Sequence, residues 1–217
     1  MSRLVFSIVV LLAGPALADS RGQTNEWSLN LFVVGTKHYA FEGGASARND
    51  GGAGIGLSMA RNLNNYFALG IDASLSEFNY RATVAPGAGN GAASFASDGE
   101  METAALRAHA TWNLLARPVT PFLTANAGFM ILDTNLRRDA PANACWIYPW
   151  YGEVCSDQAP KNNLTRFTYG LGTGLRFDLP RDRGFLRALV GGEWIVFSEA
   201  LSPVGYVQVR ADFGLRF

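Results

Sequence analysis

Along residues 205–217 apolar and polar side chains alternate one by one. On an extended strand this period puts Val207, Val209, Ala211, Phe213, Leu215 and Phe217 on one face and Gln208, Arg210, Asp212, Gly214 and Arg216 on the other. The second row carries too much charge for an ordinary protein core. A strand that is apolar toward lipid and polar toward an enclosed lumen fits a closed barrel in a membrane.

The same alternation recurs upstream and predicts eight strands, near 26–36, 52–61, 66–79, 101–115, 120–133, 166–178, 184–197 and 205–217. In the fourth, Ala104, Leu106, Ala108, Ala110, Trp112 and Leu114 form the apolar row, against Thr103, Ala105, Arg107, His109, Thr111 and Asn113. In the sixth, Phe167, Tyr169, Leu171, Thr173, Leu175 and Phe177 face out, with Arg166, Thr168, Gly170, Gly172, Gly174 and Arg176 opposite them. Connections also alternate in length. Short turn-rich links at 62–65, 116–119 and 179–183 separate long polar or glycine-rich stretches at 37–51, 80–100 and 134–165 and a shorter one at 198–204. Short periplasmic turns and long extracellular loops are the rhythm of outer-membrane barrels, which puts both termini on the periplasmic side. The expected fold is therefore all-β, an eight-stranded antiparallel up-and-down transmembrane β-barrel.

The first residues change the picture of where the chain goes. Arg3, the apolar run Leu4–Leu12 and the small-residue ending Ala16-Leu17-Ala18 read as a secretory signal peptide, 1–18, with the barrel domain at 19–217. No later stretch has the roughly 18 continuous apolar residues of a helical span. Removing residues 1–18 leaves 17 basic against 18 acidic residues, and this near-neutrality argues against a nucleic-acid partner. The two cysteines, Cys145 and Cys155, lie in an exported segment where oxidation is permitted, so a local disulfide is expected.

On the signal peptide, the alternating segments, the turn-and-loop rhythm and the final Phe217, the chain resembles the small OmpA/OmpX-type barrels, including the opacity-type porin-like family. The resemblance implies a monomer in the outer membrane, in contact with lipid and lipopolysaccharide. It also implies that Phe213, Leu215 and Phe217 match the C-terminal assembly signal read by the barrel-insertion machinery. Val209 departs from that pattern, standing where the family often has an aromatic residue.

Candidate chemistry is sparse. Asp72, Arg107, His109, Glu193, Arg210 and Asp212 share the inward register and are expected to form an ionic network filling a lumen too narrow for an open channel. His109 with Thr111 has the look of a His-x-Ser pair, but both point into the lumen, away from any lipid substrate, so no catalytic residue is assigned. Two scattered histidines and two cysteines offer no zinc-like ligand spacing, and neither metal nor cofactor is expected. The most individual segment is 145–155, where a small disulfide ring would carry Trp146, Tyr148, Trp150 and Tyr151 as a recognition surface, or as rings that lie on the lipopolysaccharide interface or cap the barrel mouth. The function these features point to is non-enzymatic: support of the outer membrane and display of loops to an extracellular ligand. A narrow porin-like channel is the alternative reading and a lipid A-modifying barrel enzyme the third.

Overall fold

The computed structural model describes residues 21–87, 93–133, 145–148, 152–155, 163–179, 183–197 and 203–217, so the expected signal peptide lies outside the described residues. In chain order the strands are β1 (Asn25–Val34), β2 (Lys37–Ala40), β3 (Ser46–Asn62), β4 (Phe67–Pro86), β5 (Phe95–Asn113), β6 (Val119–Asp133), β7 (Cys145–Tyr148), β8 (Gly152–Cys155), β9 (Asn163–Asp178), β10 (Gly184–Val196) and β11 (Val204–Arg216). Eight of them (β1, β3, β4, β5, β6, β9, β10 and β11) make the wall, each antiparallel to its neighbours, and β11 pairs back onto β1. At the seam, Asn25 and Phe217 exchange two backbone hydrogen bonds of 2.9 and 3.0 Å, so no edge is left open at the base.

Register fixes the barrel's tilt. From Val33 the paired row climbs through Ala53, Glu77 and Glu102 to Asp133 on β6. In the other direction it passes Val209, Val190 and Thr173 to Leu123 on the same strand, ten residues away. A stagger of this size across eight strands gives a tilt of about 40° and an interior just wide enough for side chains.

Along β1, burial alternates strictly: Glu26, Ser28, Asn30, Phe32 and Val34 point inward, and Trp27, Leu29, Leu31 and Val33 point outward. The rows read from the sequence on β5, β9 and β11 fall on the same sides, with Leu171 62% and Leu215 64% exposed on the outer wall. Surface this apolar has no place in water and belongs in acyl chains. Aromatic side chains mark both ends of the belt. Phe67 stacks on Trp112 near the short turns, and a Phe129, Phe167, Tyr169 and Trp194 series runs across β6, β9 and β10 toward the loops. Inside, bulky rings rest on glycines of the neighbouring strand. A Cβ at Gly54 would strike the ring of Phe32, and one at Gly214 the ring of Phe185.

The strands outrun the expected ones. β4 continues to Pro86 and β5 starts at Phe95, so most of the expected loop 80–100 is a two-stranded ribbon rising above the belt, while 88–92 lie outside the described residues. β3 likewise starts at Ser46, with a register break between Asn49 and Gly52. The reason is physical. Above the lipid the pattern inverts, with Phe78, Tyr80, Ala82, Val84 and Met101 buried inside and Glu77, Asn79, Arg81, Glu100 and Glu102 exposed outside. A search for an apolar outer row stops where that row turns polar.

Candidate functional site

The inward parity of the wall strands collects charged residues into one column along the lumen. At its periplasmic foot, Arg21 donates to Asp178 (2.7 Å), Asp178 also accepts from Arg176 (2.8 Å), and Arg176 grips Glu26 with two hydrogen bonds of 2.6 and 3.0 Å. Phe185 bridges to the next group, its ring lying 4.4 Å from the guanidinium of Arg176 and 4.8 Å from that of Arg187. Above it run Arg187–Asp212 (3.1 Å), Asp212–Arg210 (2.6 Å), Arg210–Asp72 (3.1 Å), Asp72–Arg107 (3.1 Å) and Arg107–Glu193 (2.8 Å). Five guanidinium groups thus alternate with five carboxylates. Asn30 and Ser58 complete the middle, donating to Asp72 at 3.0 and 2.8 Å. Buried charges persist when they are paired, and the Arg176–Glu26, Arg210–Asp212 and Arg107–Asp72 pairs are hydrogen-bonded as well.

Of the residues singled out in the sequence, Asp72, Arg107, Glu193, Arg210 and Asp212 are joined by these contacts. His109 forms none of the ion pairs. It lines a cavity of about 40 Å³ beside Asp72, Asn126, Arg187 and Arg210, with room for little more than water. Thr111 is buried in the same lumen and donates to Thr124 at 3.5 Å. Glu26, Arg187, Asp178 and Arg21 also belong to the column but went unnamed in the sequence reading. The first two share the inward parity of Asn30 and Glu193 and were legible on that basis. Arg21 precedes every strand, so no periodicity marks it.

Above Glu193 the lumen changes character. Phe78, Tyr80, Met101, Leu132, Phe197 and Tyr206 pack into an apolar plug together with Trp146. Trp146 reaches it because the β7–β8 hairpin leaves its own neighbours and pairs with the upper end of β4, Ala85 opposite Ile147 and Pro86 opposite Trp146. The Gly87 amide donates to the Cys145 carbonyl at 2.8 Å. Trp146 is only 3% exposed and meets Phe95 edge-on at 5.1 Å, so of the two expected placements this ring takes the cap over the barrel mouth and not the display on a recognition tip. An indole beside a concave apolar sheet gains more by burial than by exposure. The Tyr148 side chain, Trp150 and Tyr151 lie outside the described residues. Cys145 and Cys155 are register partners, and among the described residues no cysteine is free. Phe213, Leu215 and Phe217 stand exposed on the outer wall of the seam strand and its end.

A lipid-facing belt around a closed eight-stranded wall and a filled lumen define an outer-membrane β-barrel, the class and location that the sequence pattern predicts. The outer membrane protein OprG from Pseudomonas aeruginosa has this fold, with a TM-score of 0.57 at 11% identity, the match covering 93% of this chain and 99% of that one. Neisserial surface protein A aligns at a TM-score of 0.46 and 12% identity, over 88% of this chain and 95% of that one. No family model and no curated protein matches the sequence.

Proposed function

We propose that the protein is a non-enzymatic outer-membrane barrel with a structural and surface-interaction role, a monomer that stiffens the membrane and carries its loops on a rigid extracellular ribbon. One observation supports this reading above the others. Among the described residues the lumen is filled by the charge column below and the apolar plug above, and the cavity of about 40 Å³ lies beside the column, lined by Asp72, His109, Arg187 and Arg210. His109 and Thr111 sit inside that filling, where a lipid substrate does not reach. Planar-bilayer recordings from monodisperse protein should therefore show little stable conductance. Reproducible channels that respond to substitutions at Phe122, Met130 or Arg210 would replace this reading with that of a narrow pore.

Two features extend the proposal. The outward row Phe213, Leu215 and Phe217 serves as the assembly signal for the barrel-insertion machinery. Deleting Phe217 should lower outer-membrane levels and raise periplasmic degradation, while protein refolded in detergent keeps its heat-modifiable gel shift. Equal membrane levels of both chains would remove the signal from the proposal. Cys145 and Cys155 form a disulfide that staples the hairpin behind Trp146. Replacing both with serine should leave heat-modifiability intact and speed tryptic cleavage within 134–162, because the ring restrains the hairpin alone. Two free thiols, alkylated in native membranes, would rule the staple out.

A further inference from the structure

We propose that the periplasmic mouth of the barrel is a guanidinium-binding site, occupied in cis by Arg21, which thereby latches the lumen shut from below. Arg21 belongs to no strand, yet it is only 3% exposed. Its Nε donates to Asp178 at 2.7 Å, and its Nη1 donates to the carbonyls of Asn65 and Leu115 at 3.3 and 3.4 Å. Its Nη2 donates to the carbonyl of Arg117. These acceptors come from the β3–β4 turn, from the β5–β6 turn and from the last residue of β9. Turn carbonyls at a barrel rim ordinarily face water. Here they converge on one planar cation, whose five N–H groups spread in a fork that an ammonium group lacks.

The backbone around Arg21 is fixed to the same rim. Gly22 donates to the Asn65 side chain at 3.1 Å, Gln23 to the Asn62 carbonyl at 2.9 Å, and the Thr24 hydroxyl to the Arg21 carbonyl at 2.7 Å. A second observation shows what the latch covers. Asn113, at the periplasmic end of β5, is 1% exposed with neither amide atom in a hydrogen bond, and the side-chain oxygen of Asn62, on the same side of the barrel, also has no protein donor. Such groups take water wherever it has a path, and with Arg21 bonded to the carbonyl of Leu115, two residues beyond Asn113, the proposed latch lies on the periplasmic side of them. Since the acceptors are spread from residue 65 to residue 178, the site exists only once β3 through β9 have assembled. The latch closes on a completed wall.

The test uses the full-length mature chain in nanodiscs, with Cys145 and Cys155 replaced by serine and one reporter introduced as Asn113→Cys. Reaction with a membrane-impermeant maleimide should be slow while Arg21 is present and about tenfold faster after Arg21→Ala, the gel shift reporting that the barrel is still folded. Millimolar guanidinium chloride should slow labelling of the Ala variant again, whereas sodium chloride at equal ionic strength should not. Arg21→Lys should resemble Ala, since one ammonium cannot serve acceptors on three sides. Equal labelling with and without Arg21, or protection by sodium chloride as good as by guanidinium, would overturn the proposal. If Arg21→Ala does not fold, Asp178→Asn removes the charged acceptor with the arginine in place and should raise labelling in the same way. Labelling reads the base alone, so the outcome is independent of whether the whole lumen conducts.

Discussion

Replacing Asp72 with alanine should destabilise the folded barrel by about 3–5 kcal/mol, the cost of removing one partner from a buried, hydrogen-bonded ion pair. Asp72 is the acid on which the middle of the column converges. It accepts from Arg107 and Arg210, each at 3.1 Å, and from Asn30 and Ser58, and its side chain is 4% exposed. Without it two guanidinium groups stay in a narrow lumen with one carboxylate each, Glu193 for Arg107 and Asp212 for Arg210. Asp72→Asn keeps the shape and one acceptor oxygen while losing the charge and the second acceptor, so its cost should fall between wild type and alanine. The internal control is Asp98, whose 3.0 Å pair with Arg81 lies on the outer face of the ribbon with both side chains more than half exposed. Removing that partner should change stability by about 1 kcal/mol or less. Urea titrations of vesicle-embedded protein, followed by gel shift, measure both. Equal midpoints for the two variants would mean that the column does not hold the barrel together.

The parts of this fold that were legible in the sequence are those governed by a two-residue period in contact with lipid. Within the belt a side chain has two environments only, acyl chain or lumen, and rows such as Leu171, Thr173 and Leu175 against Gly170, Gly172 and Gly174 report them directly. Above the belt the outer environment becomes water. Tyr80, Ala82 and Val84 then alternate with Asn79, Arg81 and Thr83 in the opposite sense, and a strand looks like a loop to a reader expecting grease outside. The candidate site divides along the same line. Inward charges on clear strands, from Asp72 to Asp212, follow from parity alone. Which acid meets which arginine depends on the ten-residue stagger, which no single strand records. Arg21 and Trp146 were hidden for a further reason. One precedes the first strand and the other sits on a hairpin that pairs away from its chain neighbours, so the contacts of each are long-range.

The depth of the lipid belt makes the last prediction the most discriminating for the fold itself. Leu171→Arg should cost about 2–4 kcal/mol in vesicles, the penalty for a guanidinium facing acyl chains near the bilayer midplane. Leu171 stands on the outer face of β9 between Ala125 and Gly192, 62% exposed and surrounded by apolar outward residues, with no carboxylate among its cross-strand partners. The same substitution at Leu75, the last apolar position of its row before Glu77, should cost less, because a long side chain there can lift its charge to the interface. At Ala96, on the outer face of the ribbon opposite Thr83, arginine should be nearly neutral, since that surface already carries Arg81 and Asp98. A graded series, largest at Leu171 and smallest at Ala96, is what a bilayer around the lower wall and water around the ribbon require. If arginine at Leu171 were as harmless as at Ala96 in the same urea titration, the exposed apolar belt would face something other than lipid. The alternation of the wall would then have been assigned to the wrong solvent.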